Sequence, residues 1–122
     1  MIVGVGTDSV EVKRVLTACQ NERFLQKYYT EKERALIEKR NGSAATNFAA
    51  KEAVSKVFGT GFSGFAPRDI EVLRDPAGKP CVILYNGARL EAERLGITHI
   101  QLSLSDCKEY AVAFAVGEGE HA

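Results

Sequence analysis

Apolar and polar positions divide the chain into a helical first half and a strand-rich second half. Ile2, Val3 and Val5 form a short apolar run that reads as a largely buried strand, with Asp8 at its exit. Gly4 and Gly6 remove side chains from that run, as expected where a neighbouring backbone comes close. Val10, Val12, Val15, Leu16 and Cys19 then recur near helical spacing, while Glu11, Lys13 and Arg14 point outward. Asn21 is a good cap for a second helix, whose apolar side is Phe24, Leu25 and Tyr28. Thr30-Glu31-Lys32-Glu33 is a capping box, and the helix it starts runs to about Lys39. Ser43 can cap the next helix, about Ala44 to Phe58, and Gly59 follows as a left-handed terminal residue.

Beyond the glycine-rich loop Gly59-Thr60-Gly61-Phe62-Ser63-Gly64 the period changes. Arg68 to Arg74 and Cys81 to Tyr85 alternate like strands, joined by a turn at Asp75-Pro76-Ala77-Gly78-Lys79-Pro80. Ala88 to Leu95 is a short helix closed by Gly96. Thr98 to Ser105 and Glu109 to Val116 are two more strands around the tight link Asp106-Cys107-Lys108, and Gly117 to Ala122 is expected to fray. Early helices, late strands and short β-β links predict an α+β fold with mostly antiparallel sheet.

Length bounds this pattern to one domain over 1–122. Hydrophobic residues make up 45% and charged residues 26% of the chain, as in an ordinary globular protein. Sixteen basic side chains balance sixteen acidic ones, so no global field points to nucleic acid or membrane. An anionic partner must be met by a local patch. Cys19, Cys81 and Cys107 lack metal-ligand spacing and read as reduced thiols of a cytoplasmic protein. The N-terminus has no signal-peptide pattern, and no apolar run is long enough to span a bilayer.

Chemistry concentrates in two motifs. Gly4-Val5-Gly6-Thr7-Asp8 puts one carboxylate at a strand exit. In Phe48-Ala49-Ala50-Lys51-Glu52-Ala53-Val54-Ser55-Lys56, positions 48, 52 and 56 share a helical stripe that empties into Gly59-Thr60-Gly61. Taken alone, Glu52 and Lys56 are an i,i+4 surface pair worth about 0.3–0.5 kcal/mol. In context, two carboxylates from separate elements suit Mg²⁺, and the loop amides suit phosphate oxygens. The loop is not a P-loop, because it follows a helix and lacks the Gly-Lys-Ser/Thr ending. Arg14, Arg23 and Phe24, with Lys13, form a basic-aromatic patch suited to an acidic protein. His99, His121 and Cys107 have no partners at useful spacing and are read as incidental.

These motifs, with Asp69-Ile70-Glu71-Val72, Gly78-Lys79-Pro80 and Leu102-Ser103-Leu104-Ser105, resemble the holo-[acyl-carrier-protein] synthases. These are the small trimeric class of 4′-phosphopantetheinyl transferases. The resemblance implies that family's fold, a homotrimer with active sites between subunits, and transfer of 4′-phosphopantetheine from coenzyme A to a serine of apo acyl carrier protein, releasing 3′,5′-ADP. It implies Asp8 and Glu52 as Mg²⁺ ligands and Lys56 on the diphosphate. It further implies Gly59, Thr60, Gly61, Ser105 and Asp106 around coenzyme A, and Arg14, Arg23 and Phe24 facing the carrier.

The chain departs from the pattern at three positions. Many relatives have Arg at position 47 and His at 101 and 106, where this chain has Asn47, Gln101 and Asp106. An added charge about 4 Å from a phosphate costs about 4 kcal/mol at an effective dielectric of 20. Weaker or altered coenzyme A contacts are therefore expected. The alternative is a relative that binds coenzyme A or carrier protein without efficient transfer.

Overall fold

The computed structural model describes residues 1–120. Its elements, in order, are β1 (Ile2–Glu11), α1 (Val12–Ala18), α2 (Glu22–Tyr28), α3 (Glu31–Lys39) and α4 (Ser43–Phe58). A 3-10 turn (Pro67–Asp69) leads to β2 (Ile70–Arg74), β3 (Pro80–Leu84), α5 (Asn86–Leu95), β4 (Ile97–Asp106) and β5 (Tyr110–Gly119). All strand pairs are antiparallel: β1-β5-β4 form one sheet and β2-β3 a second. The architecture is α+β, as the pattern predicts.

Local signals hold at α2 and α3, where side chains cap backbone, but not at α4, whose N-cap is Gly42 and where Ser43, expected as the cap, is the first helical residue and caps nothing. The Asn21 side chain accepts hydrogen bonds from the Arg23 and Phe24 amides. Thr30 and Glu33 form both halves of the capping box. Gly59 and Gly96 end α4 and α5 with φ of 80° and 76°.

The first strand differs from expectation. It is ten residues long and continues through Asp8, which lies inside the strand opposite Ala113 rather than at its exit. Val10 belongs to β1, so α1 starts two residues later than its apolar spacing suggests. Ile2, Val3 and Val5, expected inside, are exposed. The physical reason is the closeness of α4. A Cβ added to Gly6 would sit 2.0 Å from the Ala53 carbonyl oxygen, and one added to Gly4 2.5 Å from that of Val57. Only glycine fits the inner face of β1 there, so the large apolar residues face out. In β5 the inner positions are Ala111, Ala113 and Ala115, all fully buried, while Tyr110, Val112 and Phe114 are exposed.

Arg68 and Asp69, expected in a strand, lie in the 3-10 turn begun by Pro67. β5 runs to Gly119, so the expected fraying from Gly117 is not found; pairing with β1 and β4 holds that segment. His121 and Ala122 lie outside the described residues.

The core is built on α4. Ala49, Ala50, Ala53, Val54 and Val57 pack against β5 and β2, with Ile70, Val72, Ala88 and Ala92 beyond. Inside it sits a polar group that periodicity does not reveal. Lys51, 1% exposed, pairs with the fully buried Glu33 at 2.7 Å and donates to the carbonyls of Pro67 and Ile70. Asn47 donates to Glu33 Oε2 at 3.0 Å and to the Val72 carbonyl at 2.8 Å. Both ions are thus paired and hydrogen-bonded, the condition for keeping charges in a core. They fix the roll of α4 and leave positions 48, 52 and 56 outward. Among the described residues no helix is long and apolar enough to cross a membrane.

Candidate active site

β1 and the second half of α4 run antiparallel, which brings Asp8 beside Glu52 and Lys56. Lys56 Nζ donates to the Thr7 carbonyl at 2.9 Å and to Asp8 Oδ1 at 3.3 Å. Its partner is therefore β1; among the described residues no ion pair joins it to Glu52. Asp8 Oδ2 is buried and has no hydrogen-bond partner among the described residues. Burial raises the Glu52 carboxyl above the ordinary carboxylate range, the Asp8 charge raises it further, and Lys56 offsets part of this. Two crowded carboxylates, one with an orphaned oxygen, make a site deficient in positive charge. Among the described residues no three metal-ligating side chains converge. A cation here would take Asp8 and Glu52 and complete its shell with water or substrate oxygens, the habit of Mg²⁺.

Beyond Lys56 the loop opens. Gly59 and Gly61 have φ of 80° and 63°, and the space a Cβ would fill at either is empty. The Thr60 hydroxyl is exposed and, among the described residues, donates only to the neighbouring Gly61 carbonyl, at 3.2 Å. Asp8, Glu52, Lys56 and this loop therefore form one continuous polar edge.

Ser105 and Asp106 do not join that edge within one chain. They line a separate cavity of about 580 Å³ with Lys39, Arg40, Ser43 and Arg74. Ser43 is at the start of α4 and Lys56 near its end, thirteen residues on, or about 20 Å along the helix axis. Asp106 faces that cavity, with Oδ2 3.7 Å from where a Cβ of Gly42 would be. Asn47 is fully buried, and its carboxamide oxygen accepts from the Arg74 guanidinium at 2.9 Å.

The early helices present the expected basic-aromatic surface. Arg14 and Phe24 line a groove of about 430 Å³ with Ser9, Val10, Phe48 and Tyr110. Arg23 and Lys27 line a shallower hollow on the other side of Phe24. The Phe24 ring stacks on Tyr28 at 4.3 Å, and Tyr28 on Phe48 at 5.4 Å. Phe48 is one helical turn before Glu52, so this groove and the carboxylate pair share one stripe of α4.

The sequence places Phe48 on the stripe of Glu52 and Lys56 but gives it no role, and it missed Lys39, Arg40, Arg74 and Tyr110. Each reads as an ordinary surface or core residue, and strand register and helix packing bring them to the cavities. Among the described residues the His99 ring hydrogen-bonds only with the Thr98 hydroxyl, at 3.2 Å. All three cysteines are free thiols, Cys19 partly buried and the other two exposed.

Residues 4–115 match the family model of the 4′-phosphopantetheinyl transferase superfamily. The chain is 48% identical to the holo-[acyl-carrier-protein] synthase of Lachnoclostridium phytofermentans, over 97% of each chain. Among solved structures it superposes on the holo-ACP-synthase of Plasmodium yoelii with a TM-score of 0.86, 35% identity and coverage of 99% and 98%. The Bacillus anthracis holo-(acyl-carrier-protein) synthase in complex with CoA (3′,5′-ADP) gives a TM-score of 0.81 at 35% identity, covering 98% and 99%. With that match across nearly its whole length, the chain belongs to the 4′-phosphopantetheinyl transferase superfamily and, within it, to the holo-[acyl-carrier-protein] synthases.

Proposed function

We propose that this protein transfers 4′-phosphopantetheine from coenzyme A to a serine of apo acyl carrier protein. The serine oxygen bonds to the β-phosphorus, the bond from that phosphorus to the bridging oxygen breaks, the serine proton is released, and 3′,5′-ADP leaves. One observation carries the site assignment: the buried, unpartnered Asp8 Oδ2 beside a second carboxylate and a lysine. Asp8 and Glu52 fit Mg²⁺, which when bound offsets charge on the diphosphate and on the leaving phosphate. Lys56 has three N–H donors, two of which are engaged by Thr7 and Asp8, so one is left for a diphosphate oxygen. The Gly59 amide is engaged by the Lys56 carbonyl, so the Thr60 hydroxyl and the amides of Thr60 and Gly61 line the path of coenzyme A away from the diphosphate. Arg14, Arg23 and Phe24 receive the acidic carrier, chiefly raising the association rate.

Ser105 and Asp106 contact coenzyme A only if their cavity comes from a neighbouring copy, because about 20 Å of α4 separates the two halves within one chain. This supports a homotrimer with its active sites between subunits. The chain acts as one domain over 1–122, in the cytoplasm.

The test is a mass measurement on apo carrier protein incubated with enzyme, coenzyme A and Mg²⁺. The wild type adds one phosphopantetheine; Glu52→Gln and Asp8→Asn do not, and both lose calorimetric Mg²⁺ binding while keeping the wild-type circular dichroism spectrum. Undiminished transfer by either variant would refute the assigned metal site.

A further inference from the structure

The glycine loop after α4 has an open tip and a crowded base. Gly59, Gly61 and Gly64 all have positive φ, and a Cβ at any of them would meet nothing within 4 Å among the described residues. Behind them the chain is anchored. Phe65 sits edge-on to Phe58 and to Phe62, with ring centroids 5.7 Å apart in each pair, and Phe62 and Phe65 both pack against the core. Gly64 and Phe65 also meet the start of α5. A Cβ added to Gly87 would lie 2.2 Å from the Gly64 carbonyl oxygen and 3.0 Å from the Phe65 Cβ. Gly61 is three residues from Gly64, at most about 11 Å of chain, so a shift at that contact reaches the tip.

Hydrogen bonds close the same corner. One Asp69 carboxylate oxygen accepts from the Ala66 amide at 3.0 Å, and the other accepts from the Asn86 carboxamide at 3.0 Å. The Asp69 side chain thereby ties the end of the loop to the start of α5. Asn86 has φ of 50°, the one positive value at a non-glycine position among the described residues. Asparagine tolerates that region better than most residues, yet it is sparsely populated, and such strain persists only where the surroundings enforce it. Here the Asp69 bond and the close approach at Gly87 enforce it.

We propose that Asp69, Asn86 and Gly87 are positioning residues for the reaction: they touch no substrate, and they hold the Gly59-Thr60-Gly61 loop in the form that binds coenzyme A. This rests on the transferase reading, which places coenzyme A along that loop. Asp8, Glu52 and Lys56 stand on β1 and α4, outside this corner. Loosening it therefore weakens coenzyme A binding and leaves the chemical step intact.

Steady-state transfer by Gly87→Ala, by Asn86→Asp and by Asn86→Asp combined with Asp69→Asn tests this. Gly87→Ala pushes on the Gly64 carbonyl. Asn86→Asp sets two carboxylates against each other. The double variant exchanges donor and acceptor: the carboxamide now at position 69 can donate to position 86 and still accept from the Ala66 amide. The Michaelis constant for coenzyme A is expected to rise about three- to tenfold in each single variant, the loss of one neutral hydrogen bond to the loop. In the double variant it should return to within about twofold of wild type. In all three, kcat and the Michaelis constant for the carrier should stay within about twofold. A merely structural role would lower the unfolding temperature and kcat without moving the constant for coenzyme A. That result, or a double variant no better than Asn86→Asp, overturns the proposal, and the exchanged pair decides alone where Gly87→Ala does not fold. Calorimetric titration with coenzyme A keeps the two readings apart. Binding that weakens in the single variants and returns in the double, with no transfer by wild type, leaves the positioning role standing and refutes the transferase reading. Transfer by wild type with unchanged binding in the single variants does the reverse, and a wild type that does not bind coenzyme A refutes both.

Discussion

At the scale of single residues, burial sets the chemistry more than residue type does. Tyr29 is 1% exposed and donates to the Ala44 carbonyl at 2.8 Å. Burial, chiefly, and then the neighbouring Cys19 push its phenol far above the ordinary value of 10. The sign follows directly. Above about pH 10 the unfolded chain releases this proton and the folded chain keeps it, so stability from this group is complete below pH 10 and falls as pH rises beyond it. Tyr29→Phe removes that alkaline decline and one buried hydrogen bond, at about 0.5–1.5 kcal/mol near neutrality. Urea unfolding at pH 8 and at pH 11 checks both parts: the difference between wild type and variant should shrink at the higher pH, and a constant difference would refute the titration. Glu52, Lys56 and Asp8 show how much of the site the sequence carries. Their types and spacing are legible, because i,i+4 positions share a helix face. Pairing of Lys56 with β1 is not, because it depends on where β1 lies over α4. The same holds for Arg74, whose strand position gives no sign of the cavity beside it.

At the scale of elements, close approach of β1 to α4 positions the carboxylates. Gly6 is the tightest point: a Cβ would meet the Ala53 carbonyl oxygen at 2.0 Å and the Lys56 Cβ at 2.9 Å. Backbone cannot yield as a side-chain tip can, so Gly6→Ala must separate strand from helix. The expected cost is about 1–3 kcal/mol from overpacking, with reduced Mg²⁺ affinity because Asp8, two residues along, moves with the strand. Gly61→Ala is the control: its φ of 63° is strained for alanine, but nothing lies within 4 Å, so Mg²⁺ affinity should stay at the wild-type value. Thermal unfolding and Mg²⁺ calorimetry on the two variants check this; equal Mg²⁺ affinities would show that the contact does not position Asp8. The starts of α2 and α3 are legible in the sequence, since the Asn21 and Thr30 caps are local. The length of β1 is not. Its inner face is glycine and its outer face valine, which inverts the usual alternation of apolar inside and polar outside.

At the scale of the whole molecule, that inversion leaves an apolar sheet face without cover. Val5, Tyr110, Val112 and Phe114 are 54%, 47%, 40% and 46% exposed, and β1 and β5 lie side by side. Contiguous exposed apolar surface of this kind marks an interaction site. The occupant proposed is further copies of this chain, because the carboxylate site and the cavity of Ser105 and Asp106 lie at opposite ends of α4 and, on the transferase reading, need a neighbour to meet. Phe114→Glu should therefore yield monomers in sedimentation and abolish transfer, although Phe114 faces away from Asp8 and Glu52. A stronger test uses two impaired proteins, one inactive and one weakened at low coenzyme A. Glu52→Gln spoils only the metal half, and Arg74→Gln weakens only the half built on the cavity of Ser105 and Asp106. In a mixed trimer, a site formed by the intact metal half of one subunit and the intact cavity half of the next is wild type. After dissociation and reassembly, a mixture assayed at low coenzyme A should exceed the mean activity of its components, by up to about one-quarter of the wild-type value for random assembly in equal proportions. That figure is the chance that both halves of a given site come from intact donors. Activity equal to the mean would place both halves in one chain, against the separation along α4.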